Sequence, residues 1–136
     1  MKREIKFRAW DNKHRKMLDW HCITQSVFNN GNTHLMYDVF TNPSFVGDCG
    51  FIPMQFTGLH DKNGTEIYEG DVLLVSTDLQ QSFDKKFKVE YNAKEMRFEV
   101  LQYWESQNRW VSLSNDISYY TYEVIGNIHE NPELLG

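Results

Sequence analysis

The stretch Gln55-Phe56-Thr57-Gly58-Leu59-His60-Asp61-Lys62-Asn63-Gly64-Thr65-Glu66-Ile67-Tyr68-Glu69-Gly70-Asp71 constrains the fold more than any other part of the chain. It sets glycine-marked turns against short apolar pairs and leads into Val72-Leu73-Leu74-Val75, an apolar run of strand length suited to burial on both faces. Within it, Asp61-Lys62-Asn63-Gly64 puts Asn-Gly where a tight hairpin asks for positive φ, which glycine adopts freely and asparagine tolerates. The chain is expected to reverse there. Phe56 and Ile67 would then face one core, Thr57 and Glu66 would come within reach for a cross-strand polar contact, and Glu69-Gly70-Asp71 marks a second turn.

The C-terminal half continues the β pattern. Phe87-Lys88-Val89-Glu90-Tyr91 alternates, Asn92-Ala93-Lys94-Glu95 reads as a turn, and Phe98 to Trp104 returns. A turn at Gln107-Asn108, a strand from Trp110 to Leu113 and a last strand from Tyr119 to Ile125 follow. That strand should end at Gly126-Asn127, with a bend into Asn131-Pro132, because the residue before proline avoids helical dihedrals. About five short strands from Asp71 onward make a sheet that tends to curl and close to remove its edges. The expectation is a mainly β chain, with an SH3-like barrel in the C-terminal part and an N-terminal β-hairpin extension. Residues 1–57 would form the extension with irregular loops, and residues 58–136 the barrel with a short tail.

In the extension, Lys6-Phe7-Arg8-Ala9-Trp10 alternates as a strand, Asp11-Asn12-Lys13-His14 breaks it, and Met17-Leu18-Asp19-Trp20 returns. Phe7 and Ala9 should share the inner face, with Arg8 and Trp10 on the other. Leu35 to Phe40, between Asn29-Asn30-Gly31-Asn32 and Thr41-Asn42-Pro43-Ser44, reads as a further short strand or helical turn.

Charge is divided unevenly, which bears on partners. Residues 1–16 hold seven Lys and Arg against two Asp and Glu, a net +5, so that a formal net charge of −5 leaves −10 on the remainder. A basic end on an acidic body can meet phosphates, a second copy or another protein. It can equally be an edge strand whose lysines discourage pairing. Lys6, Arg8, Trp10, Arg15 and Lys16 are accordingly the candidate partner-binding residues. Cys22 and Cys49 are too few for a disulfide framework and suit buried thiols. His21-Cys22 is not joined by histidines at ligand spacing, so no structural metal or cofactor is expected. No apolar run approaches a membrane span, and Met1 to Lys6 lacks a signal-peptide core. A cytoplasmic setting is expected.

Three segments resemble the YopX family, in the family's order: Lys6-Phe7-Arg8-Ala9-Trp10-Asp11 with Met17, the central Gln55 to Asp71, and Val124-Ile125-Gly126-Asn127-Ile128-His129-Glu130-Asn131-Pro132-Glu133-Leu134. The resemblance implies an SH3-type barrel in the C-terminal part, a phage or prophage setting in a bacterial host, and no catalytic residues to carry over. The residues themselves offer no GxSxG elbow, Walker loop, HExxH or dinucleotide fingerprint. Glu66, Glu69 and Asp71 form an acidic group near the central turns that could serve a small metal-dependent hydrolase. Turn carboxylates more often bind backbone N–H groups, however. His60-Asp61 reads as a polar turn pair, since neighbours on an extended chain point to opposite sides. The leading expectation is a non-enzymatic module for protein interaction or self-assembly, a homo-oligomer included. Nucleic-acid binding through the basic end is the alternative.

Overall fold

The computed structural model describes residues 4–25, 39, 50–77, 85–94, 96–104, 107–112 and 120–135. They fall into two compact units, residues 1–56 and 57–136, with the boundary inside one strand.

In the first unit, β1 (Phe7–Asp11) pairs with β2 (Lys16–Leu18) on one side and with the first half of β3 (Phe51–His60) on the other. The basic segment is therefore a central strand and not an edge. Ala9 lies opposite Leu18 and Pro53, and packs with Leu18, Ile23 and Val39 in a small core flanked by Trp20, Cys22 and Phe51. Burial corrects the two-face reading, because Trp10 is only 3% exposed beside the fully buried Ala9. Both faces of β1 are covered at this point.

Trp20 also departs from expectation, since it opens helix α1 (Trp20–Gln25) and does not extend β2. Asp19 makes the change: its Oδ1 accepts the Cys22 N–H at 2.7 Å, and its carbonyl accepts the Ile23 N–H at 3.0 Å. That is N-cap chemistry, available from the Asp at this position in the sequence. The expected element from Leu35 to Phe40 lies, apart from Val39, outside the described residues, and so does Cys49.

In the second unit, β4 (Glu66–Tyr68) lies beside the latter half of β3. The strands β5 (Asp71–Thr77), β6 (Lys85–Asn92), β7 (Arg97–Trp104), β8 (Gln107–Ser112) and β9 (Tyr120–Asn127) form an antiparallel sheet in the order β8-β7-β6-β5-β9. β5 is a central strand, with Val72, Leu73 and Val75 buried as their unbroken apolar run requires. Ile67, Leu73, Val75, Phe87, Val89 and Tyr122 make its core. The chain is mainly β, with curled antiparallel sheets. Gln107 and Asn108, expected to turn, instead pair with Trp104 and Tyr103.

The Asp61–Gly64 reversal is present in a different form. The Gly64 N–H bonds the Asp61 carbonyl at 3.0 Å and Gly64 has φ +83°, whereas Asn63 keeps negative φ. The loop is thus a type I turn followed by a left-handed glycine, not a two-residue Asn-Gly turn. The Thr57 hydroxyl donates to the Ile67 carbonyl at 2.7 Å, while Glu66 accepts from the Tyr68 hydroxyl at 3.1 Å, so Thr57 and Glu66 do not satisfy each other. Valine at Gly64 should cost about 1–3 kcal/mol through strain at positive φ. A urea midpoint equal to that of the parent protein would contradict it.

β9 ends at Asn127, and the chain turns into a 3-10 helix at Pro132–Leu135, so residues 124–134 do not form one helix. Gly126 is where this tail closes on the strand. A Cβ there would stand 2.5 Å from Asn131 Oδ1 and 2.7 Å from Leu134 Cδ1. Gly126→Ala is expected to lower stability by about 1–3 kcal/mol through overpacking. A thermal melt indistinguishable from the parent would mean that the tail moves aside freely.

Candidate functional site

The candidate basic residues are largely engaged within their own unit. Lys6 Nζ lies 4.8 Å from the Phe56 ring centroid and 3.1 Å from Glu4 Oε1. The Arg15 guanidinium sits 5.6 Å from the Trp10 ring centroid. Arg8 is half-buried within β1, and Lys16 is exposed at the start of β2. Lys6 precedes β1 whereas Arg15 and Lys16 follow the turn at its far end, so the five residues do not converge on one site. Asp11 builds that turn. Its Oδ1 accepts the Lys13 and His14 N–H groups at 3.1 Å each, and its Oδ2 lies 2.8 Å from His14 Nδ1.

The acidic group near the central turns is also taken up locally. Asp71 is 1% exposed and accepts the Tyr68 N–H at 2.8 Å, closing the β4–β5 corner. Among the described residues, no three His, Cys, Asp or Glu side chains come together as metal ligands would. Asp61 proves to be a structural centre, unlike its neighbour His60, which is exposed. Its Oδ1 accepts the Asn63 N–H at 2.8 Å and the Thr65 N–H at 2.9 Å, and its Oδ2 accepts the Val124 N–H of β9 at 2.9 Å.

An open concave surface lies at the end of the β6–β7 hairpin. A cavity of about 270 Å³ is lined by Glu90, Tyr91, Asn92, Ala93, Lys94 and Glu99. Strand register places Glu90 opposite Glu99 and Asn92 opposite Arg97, so these four side chains share one face. Glu99, only 1% exposed, holds Arg97 Nε at 2.8 Å and accepts Asn92 Nδ2 at 3.0 Å. Glu90 is paired with Lys88. The intervening pair, Tyr91 and Phe98, points to the opposite face: Tyr91 is 45% exposed with its ring 5.2 Å from that of Phe98, and Met96, at the turn before β7, is 78% exposed with φ 55°. The arrangement offers shape and paired charge to a partner's side chain. It presents no nucleophile held by a base. Sequence reading did not single out Glu99, although Arg97 two residues before it on an alternating strand signals a same-face ion pair.

Burial would raise the carboxyl pKa of Asp11, Asp61 and Glu99, but in each the bonds to the charged form outweigh it and the net shift is downward. His14 and Lys13 supply those bonds at Asp11, the Val124, Thr65 and Asn63 backbones at Asp61, and Asn92 with Arg97 at Glu99. A depressed folded-state pKa contributes stability above the unfolded value and loses it as pH falls through the folded one. The melting temperature should hold from neutrality to about pH 5 and drop below about pH 4, where unfolded carboxylates titrate. A flat profile across that acid range would contradict it.

Among the described residues, no helix is long and apolar enough to cross a membrane. The model of the YopX protein family matches residues 6–136. No functionally curated protein matches the chain. Among solved structures, the chain is similar to the protein EF1440 from Enterococcus faecalis at 28% identity and a TM-score of 0.52, over 99% of this chain and 100% of that one. It is also similar in fold to the protein yopX from Bacillus subtilis at 22% identity and a TM-score of 0.58, over 96% and 98% of the two chains.

Proposed function

The chain belongs to the YopX family, and from that premise we propose that it is a non-enzymatic module for protein interaction or self-assembly, carried by a phage or prophage and acting in the bacterial cytoplasm. The observation that carries this reading is the β6–β7 end, which exposes Tyr91 and Met96 and also holds an open cavity in which Glu90 and Glu99 are already paired. Exposed apolar groups rimmed by polar ones are what a docking surface presents. The phage setting rests on the family resemblance, as does the further reading of the second unit as an SH3-like barrel.

Immobilised protein should retain a specific partner from a bacterial lysate, or the purified chain should exceed monomer mass by light scattering. Met96→Glu together with Tyr91→Ser should abolish whichever of these occurs. A monomer that retains nothing overturns the reading.

Nucleic-acid binding remains the second reading because Lys13, Arg15 and Lys16 are all exposed around the β1–β2 turn. It predicts mobility shifts that weaken steeply with salt. Absence of any shift on DNA or RNA at low salt would remove it.

A further inference from the structure

The loop between β1 and β2 gathers cations that no carboxylate holds. Lys13, Arg15 and Lys16 are exposed there and, among the described residues, none of them forms an ion pair. By contrast, Lys6, Lys62, Lys88 and Arg97 are each paired with a glutamate. The one carboxylate beneath the loop is already taken up by its backbone and its histidine: Asp11 Oδ1 accepts the Lys13 and His14 N–H groups, and Oδ2 holds His14 Nδ1.

Arg15 stands out within this group. Its φ is 56°, and with Met96 it makes up the non-glycine residues of left-handed backbone among the described residues. Glycine or asparagine would take that conformation with less strain. In it, the guanidinium lies 5.6 Å from the centroid of the Trp10 ring, which is itself 3% exposed and held in β1. A stacked guanidinium is oriented before any ligand arrives and loses less freedom on binding than a freely rotating one. Since an exposed cation–π contact adds little to stability, strain kept at such a residue points to use and not to folding.

We propose that the β1–β2 loop is a phosphate-binding site, with Arg15 as its recognising group and Lys13 and Lys16 beside it, and that its ligand is the phosphodiester backbone of a nucleic-acid strand. A guanidinium matches phosphate oxygens through paired N–H donors, which an isolated ammonium does not. A strand suits the loop better than a free phosphate, because the three cations are spread over an exposed hairpin end and a polyanion meets them in turn. The inference rests on the nucleic-acid reading above and narrows it to one loop.

Binding is measured by the anisotropy of a fluorescein-labelled oligodeoxythymidylate over a salt series, with a thermal melt of every variant. Arg15→Asn removes the charge and suits the left-handed position, so it should melt no lower than the parent. Its binding should weaken, and the slope of log K against log salt should fall by about 0.7, the share of one phosphate contact on a single strand. Lys13→Gln with Lys16→Gln should lower the slope by about 1.4. Arg15→Lys should recover the slope but not the full affinity, and Lys86→Gln, at an exposed cation on β6, should bind as the parent does. Binding that the loop variants leave unchanged overturns the site while the nucleic-acid reading survives; a parent chain that binds no oligonucleotide removes both. An Arg15→Asn protein whose melt falls along with its binding also overturns the site. Displacement of the oligonucleotide by polyglutamate at equal charge, or by inorganic phosphate at equal phosphate, overturns the strand as ligand, in favour of an acidic protein or a free phosphate respectively.

Discussion

Asp61→Ala is expected to lower the unfolding free energy by about 3 kcal/mol, since bonds to an ionised acceptor contribute about 1.5–3 kcal/mol each and are not additive. One substitution removes three N–H contacts, from Asn63, Thr65 and Val124. Asp61 is 8% exposed, so water does not replace them freely. Asp61→Asn should cost less, because an amide oxygen can still accept from one side of the turn. The comparison is made by urea denaturation at pH 7, where the native carboxylate is ionised. A smaller loss for Ala than for Asn would mean that the turn, and not the carboxylate, holds this corner.

Trp10→Ala should be comparably damaging, at about 3–5 kcal/mol for truncating a large buried aromatic. The ring is 3% exposed and carries the Arg15 guanidinium over it. Trp10→Phe should recover most of the loss, since it keeps an apolar ring and the cation contact. By contrast, Arg15→Gln should leave the midpoint within about 1 kcal/mol, the scale of an exposed cation–π contact. Near-parent stability for Trp10→Ala would restore Trp10 to the outward, partner-facing role that strand alternation assigns it. In that case the basic end would again be the leading candidate interface.

These two residues mark how far the sequence carries. Alternation, glycine spacing and the apolar run at Val72-Leu73-Leu74-Val75 determine strand existence, the reversal at Gly64 and the burial of β5, because each depends on dihedral preferences or side-chain period over a few residues. The family resemblance is legible for the same reason, being carried by contiguous segments. The helix at Trp20 was legible in principle from Asp19, whose capping bond spans three positions.

The remainder needed the tertiary structure. Alternation says that Ala9 and Trp10 point to opposite faces, but not that both faces are covered, since covering comes from residues distant in the chain. Asp61 reads locally as a turn residue, and its decisive bond is to an amide 63 positions away. The open end of β6–β7 likewise depends on register, which brings Glu90 opposite Glu99 on one face and sets Tyr91 opposite Phe98 on the other. Local period sets the direction in which a side chain leaves the backbone; only packing and pairing decide whether it meets water, a partner strand or a buried charge.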